Sequence, residues 1–144
     1  MTTTDPRGDR TAPSFRRGLH IGLWAAQWLL ALVFVGGGVW KLVTPATRLA
    51  EVFPWVGETP AALLHVTSGL DVLGGLGLLL PALTRVKPGL TVLAALGCAA
   101  LQASAIVFHL WRGETDVAFN AVLLALSLFV AWGRRAWVWG GGNR

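Results

Sequence analysis

The chain has no tyrosine, one cysteine, one methionine and seven acidic residues among its 144. Each scarcity excludes something. The lone Cys98 can form no internal disulfide, and no Cys-x-x-Cys pair exists for thiol–disulfide chemistry. It reads as a small buried apolar residue. No Cys/His cluster has zinc spacing, so no metal is expected. Iron–sulfur cysteines and a flavin or nucleotide motif are also missing. Charged residues make up only 13% of the chain, against 54% hydrophobic, which is the balance of a membrane protein rather than a soluble domain. The net charge of +5 does not point to nucleic acid. The basic residues lie in short flanks around apolar runs, the pattern of membrane topology.

What is present is four apolar runs, each near the ~20 residues that span a bilayer. The expected fold is all-α: a four-transmembrane-helix bundle, with the lipid bilayer around it. Residues 1–18 are polar and read as a disordered cytoplasmic tail. Residues 19–135 form the transmembrane domain, and 136–144 a second cytoplasmic tail. Arg16-Arg17 precedes an apolar run too long for a cleaved signal, so that run counts as a span. The spans are expected at Leu19–Val43, Ala61–Leu80 (closed by Pro81), Leu90–Trp111 and Val117–Trp132. Between the first two, Thr44 is an N-cap candidate and Pro45 a first helical residue. They open a short amphipathic interfacial segment in which Leu49, Val52, Phe53 and Val56 share a face and Trp55 anchors at the headgroups. Trp137 and Trp139 suit the headgroup region too.

Lysine and arginine set the orientation. With the N-terminus inside, the inner segments hold Arg7, Arg10, Arg16, Arg17, Arg85, Lys87, Arg134, Arg135 and Arg144, and the outer ones Lys41, Arg48 and Arg112. That bias places both termini in the cytoplasm.

Asp71 is the residue the rest must explain. A carboxylate at mid-membrane costs roughly 2.5–3.5 kcal/mol on insertion scales, so it needs a partner or a task. Gln102 and Ser127 fall at a similar depth, while Lys41, His65, His109 and Asn120 fall near the outer surface. The inner half of each span reads as nearly pure Leu, Ala, Val and Gly. Helical spacing gives every span one polar or small-residue stripe, and inward-facing stripes make the economical packing. The expectation is an outward-facing polar pocket with Asp71 at its deep end. Bland readings stand beside it. Lys41 can snorkel, His65 and His109 can be interfacial, and Gln102, Ser127 and Asn120 can simply bond between helices. Lys41 is the nearest cation in depth to Asp71, some ~10 Å further out when counted from the helix ends. An inter-helix ion pair is the bland role for the acid.

Gly37-Gly-Val-Trp-Lys41-Leu42 closes the first span, Ser68-Gly-Leu-Asp71-Val-Leu-Gly-Gly-Leu-Gly-Leu-Leu-Leu-Pro81 fills the second, and Ser104-Ala-Ile-Val-Phe-His109-Leu-Trp-Arg112-Gly-Glu114 leads to Asn120. In this order these motifs resemble the DoxX-like family of small four-helix membrane proteins, from about Trp24 to Arg135. One departure is that the family usually carries glutamate where this chain has Asp71. The resemblance implies a four-helix bundle in the bacterial plasma membrane. It also implies a link to membrane oxidoreductases, since some relatives accompany them, among them a thiosulfate:quinone oxidoreductase subunit.

Three functions fit these residues. One is a subunit or accessory of a membrane oxidoreductase, meeting a quinone or other lipophilic small molecule, with a redox partner protein. Lys41, His65, Gln102 and Asn120 would then bind the ligand, and Asp71 and His109 would handle protons. Another is a self-contained membrane enzyme that uses Asp71 with His109 or His65 for acid–base work on a lipophilic substrate. The last is a non-catalytic assembly or binding protein. His65 and His109 are the minimum set for a bis-histidine haem, the weakest of the cofactor readings.

Overall fold

The computed structural model describes residues 11–139, and every regular element among them is helical. Four helices are long and apolar enough to cross a membrane. Helix α1 spans Thr11–Val43, α4 Ala61–Thr84, α5 Gly89–Trp111 and α6 Ala118–Arg134. Short helices α2 (Ala46–Val52) and α3 (Pro54–Glu58) join α1 to α4, and α7 (Ala136–Trp139) follows α6.

The four long helices form a ring in which α1 packs on α4, α4 on α5, α5 on α6 and α6 back on α1. Leu30, Phe34, Leu78, Ala95, Cys98, Leu123 and Val130 fill its centre. The outside is also apolar, with Leu32, Leu73, Leu93, Val107 and Val122 all exposed. In water such a surface would aggregate; in hydrocarbon it is the expected one.

Where α1 and α4 cross, they approach through glycine. A Cβ on Gly38 would lie 2.7 Å from the Ser68 carbonyl oxygen, and one on Gly75 2.7 Å from Val35 Cγ2 and 3.1 Å from the Val35 nitrogen. No residue larger than glycine fits at Gly38 without moving backbone. Dispersion between closely approaching backbones is what holds helices together in lipid, where the hydrophobic effect is absent.

Several boundaries differ from the sequence expectation, each for a local reason. Helix α1 starts at Thr11 rather than Leu19, so part of the expected 1–18 tail is helical; residues 1–10 lie outside the described region. Pro13 is tolerated because it falls in the first turn, whose N–H groups have no helical acceptor anyway. Helix α4 runs through Pro81 to Thr84 and ends on Arg85 in the left-handed region, φ 57°. Proline inside a membrane helix is accommodated when neighbouring groups satisfy the freed carbonyls. Gln27 Nε2 donates to the carbonyl of Leu78, the residue after Gly77, whose own carbonyl loses its helical donor to Pro81.

The interfacial segment breaks in two because Pro54 has no N–H to give. Phe53 before it is extended, at φ −122° and ψ 91°. Pro45 itself occupies the N-cap, with no side-chain cap from Thr44. Leu49 and Val56 are buried with Leu64, whereas Val52 is 58% exposed and leaves the shared face. Past α6, residues 136–139 form a helix, and 140–144 lie outside the described region.

Candidate functional site

Lys41 and Asp71 meet. Lys41 Nζ donates to Asp71 Oδ2 at 2.5 Å, with the two side chains 19% and 9% exposed. The ~10 Å gap counted from the helix ends is not there. That count assumed level ends, but α2 and α3 lie between α1 and α4 and offset them. Gly38 faces Ser68 and Asp71 across the crossing. Lys41 is three residues further along α1, a rise of ~4.5 Å, well within a lysine side chain's reach. The close glycine crossing and the buried pair are therefore one feature.

Around this pair the polar groups mostly satisfy themselves. Ser68 Oγ donates to the Leu64 carbonyl at 2.6 Å, and Ser127 Oγ to the Leu123 carbonyl at 2.7 Å. Both hydroxyls bond back along their own helix. Gln102 is the exception. It is 7% exposed, and its Oε1 has no hydrogen-bond partner among the described residues. Its depth follows from the antiparallel packing of α4 and α5, where Gly74 faces Cys98 and Gly77 faces Ala94. Continuing that register sets Gln102 level with Gly69 and Leu70, next to Asp71 in the chain.

The same small residues leave a cleft of about 520 Å³ between α4 and α5, walled by Leu70, Leu73, Gly74, Ala94, Cys98 and Leu101 among others. It is apolar, and it opens between exposed leucines on the bundle surface. A smaller cleft of about 330 Å³ lies between α1 and α4 beside Gly36 and Gly75.

The remaining candidates sit elsewhere. His65 is exposed, with Nδ1 2.7 Å from the Ala61 carbonyl of its own helix. Asn120 is half-buried near the start of α6. His109 is half-buried at the end of α5, with Nδ1 2.5 Å from Glu114 Oε2. Neither histidine is bonded to Asp71, and each ring is committed to its own local partner.

His109 belongs to a clasp that the sequence reading did not anticipate. Arg112 Nε donates to Glu114 Oε1 at 3.0 Å, and Arg112 Nη1 to Glu58 Oε2 at 2.5 Å. This ties α3 to the end of α5. Rings continue the tie, through Trp40–Phe53, Phe53–Trp55 and Trp55–Phe108 contacts at 5.9–6.4 Å. Trp55, expected as a headgroup anchor, is half-buried within this row. The Arg112 hydrogen bond and charge hold the Glu58 carboxyl below the usual glutamate range. His109 and then Arg112 do the same to Glu114. Spacing along a single helix could not pair residues from three segments.

At the opposite end of the bundle, the expectation of a purely apolar half-span fails. Gln27 and Arg134 are buried there, 0% and 3% exposed. Arg134 Nε donates to Gln27 Oε1 at 2.8 Å. The guanidinium also lies over the rings of Trp24 at 5.2 Å and Trp137 at 4.3 Å. In the sequence Arg134 looks like any topology-setting flank residue. The available signal was that Gln27 and Arg134 each lie on their helix's polar stripe.

A model of the DoxX-like family matches residues 25–130, from within α1 to within α6. No curated protein and no solved structure matches the sequence.

Proposed function

This chain belongs to the DoxX-like family, and on that footing we propose that it is a membrane accessory or subunit of an oxidoreductase that holds a quinone or similar lipophile in the α4–α5 cleft. One juxtaposition carries the proposal. The apolar cleft abuts the only layer of the described bundle that holds a buried ion pair and an orphaned acceptor, Lys41–Asp71 and Gln102 Oε1. Its volume lies within the ~300–1,000 Å³ usual for ligand sites, which combine apolar walls with a few polar groups. Leu70 and Leu101 wall the cleft, and Asp71 and Gln102 are their chain neighbours. A ring lying among the leucines would sit at the level of those two groups, which are turned about 100° from the cleft wall on their helices, so contact with the buried Gln102 Oε1 would require the α4–α5 seam to open. Gln102 Oε1 suits a hydroxyl donor, and Asp71, held by Lys41, suits proton exchange with it. His109 would serve the outer clasp rather than the ligand. His65 and Asn120 would lie outside this ligand contact. Electrons would come from a partner protein, reached in the bacterial plasma membrane with both termini cytoplasmic.

The test is binding of decylubiquinol to purified protein, read as a rise in thermal midpoint. Gln102→Leu should abolish that rise. The same variant should itself be no less stable, because it removes an orphaned buried acceptor that costs about 1–3 kcal/mol. Full ligand stabilisation in Gln102→Leu would sink the proposal.

The direct Lys41–Asp71 bond also favours a second reading, in which the pair only locks α1 to α4 and the protein is an assembly or scaffold component. In that case decylubiquinol shifts the midpoint of neither protein. The acid–base enzyme reading lacks its complementary histidine at Asp71 among the described residues.

A further inference from the structure

The α7 end of the bundle carries a cation, Arg134, that has no counterion among the described residues. Arg134 is 3% exposed, and its Nη2 is buried with no hydrogen-bond partner among the described residues. The faces of the guanidinium are covered by Trp24 and Trp137, and its Nε is used by Gln27. What remains is the Nη1/Nη2 edge, whose Nη2 makes no hydrogen bond to any described residue. A buried charge left in this state is costly, and this fork matches two oxygens on one atom.

Among the described residues the surroundings supply no acid. The described carboxylates are Glu51, Glu58, Asp71, Glu114 and Asp116; Asp71 is held by Lys41, and the others lie in α2, α3 or the α5–α6 link at the far end. The near end adds Arg85 and Lys87 in the α4–α5 link and Arg135 beside Arg134. Trp137 rides on α7, a four-residue helix with no fully buried residue that contacts the start of α5 at Gly89. Arg134 lies in the last turns of the candidate span Ala118–Trp139, near the level at which phospholipid phosphates lie.

We propose that Arg134, framed by Trp24, Trp137 and Gln27, is a binding site for a phosphate-type oxyanion at this end of the bundle. The phosphate accepts from Nη1 and Nη2, while Gln27 fixes the guanidinium plane through Nε and the Leu78 carbonyl anchors Gln27. This site is separate from the α4–α5 cleft and stands whether or not that cleft binds a quinone.

The test uses full-length protein, delipidated in neutral detergent, with native mass spectrometry and hydrogen exchange as readouts. Phosphatidylglycerol, phosphatidylcholine and inorganic phosphate are titrated separately. Phosphatidylglycerol should bind wild type at least about tenfold more tightly than phosphatidylcholine, a difference of about 1.4 kcal/mol. Arg134→Gln should remove that preference, and Arg135→Gln, which alters an exposed neighbour, should keep it. In wild type alone, phosphatidylglycerol should slow exchange at residues 134–138 and leave the α3–α5 clasp unchanged, a measurement that stands if Arg134→Gln does not fold. Protection by inorganic phosphate alone would assign a soluble phosphate as the source; protection by the lipid alone would assign a headgroup. No preference in wild type, equal loss in Arg135→Gln, or uniform protection along the chain would overturn the site.

Discussion

At the residue scale, Asp71 shows how cost and function are coupled. Its carboxylate is affordable in mid-membrane because Lys41 reaches it, and Lys41 reaches it because Gly38 lets α1 lie against α4. Breaking one half of a buried pair leaves the other charge stranded. Asp71→Asn should therefore destabilise the protein by about 3–5 kcal/mol. The double change Lys41→Met with Asp71→Leu should recover most of that loss, because an apolar pair of similar bulk needs no desolvation. Chemical unfolding of the purified variants reads both numbers. A double variant as unstable as Asp71→Asn would mean that the pair is not an isolated unit. If the double variant is stable yet fails to bind decylubiquinol, the pair serves the ligand as well as the fold.

At the element scale, two features position the pair. The first is the glycine crossing. Gly38→Leu should separate α1 from α4 and cost at least about 1–3 kcal/mol, the usual range for overpacking. A leucine there with unchanged thermal midpoint would contradict the close approach. The second is the clasp of Glu58, Arg112, Glu114 and His109 that fastens α3 to the α5 end. Both glutamates are held below the usual range by these partners. A carboxyl depressed in the folded state contributes stability above its unfolded value, about 4.3, and loses it as pH falls through the folded value. Protection factors of amides in residues 46–58 should thus drop below about pH 4 while those of α4 hold. Equal protection at pH 7 and pH 3 would show that the clasp carries no such linkage.

At the scale of the whole molecule, the charges divide between the two ends. The described acids other than Asp71 gather with α2, α3 and the α5–α6 link, and Arg85, Lys87, Arg134 and Arg135 gather at the other end. The proposed orientation, with α7 toward the cytoplasm, rests on the positive-inside bias. The chain offers a convenient check, because its one cysteine, Cys98, is buried. In intact cells a membrane-impermeant maleimide should label Thr115→Cys and should not label Val86→Cys, two exposed positions at opposite ends. The reverse pattern would invert the orientation and move the Arg134 site to the outer leaflet.

The number of spans, their order and the anomaly of Asp71 were all determined by sequence, because a bilayer demands about 20 apolar residues per crossing and penalises a lone carboxylate there. Facing was legible as well, since 3.6-residue spacing puts Gln27 and Lys41, or Cys98 and Gln102, on one stripe. Register between helices was not legible. Helix ends are a poor ruler when an interfacial segment offsets them, and so Lys41 looked a helix turn or two out of reach. Pairing across segments was also hidden: Glu58 with Arg112 and Gln27 with Arg134 are 54 and 107 residues apart. Only the tertiary structure decided which polar groups found partners. It satisfied Asp71 and left Gln102 Oε1 and Arg134 Nη2 without one among the described residues, because hydrogen bonding depends on ångström-level approach that periodicity along one helix does not encode.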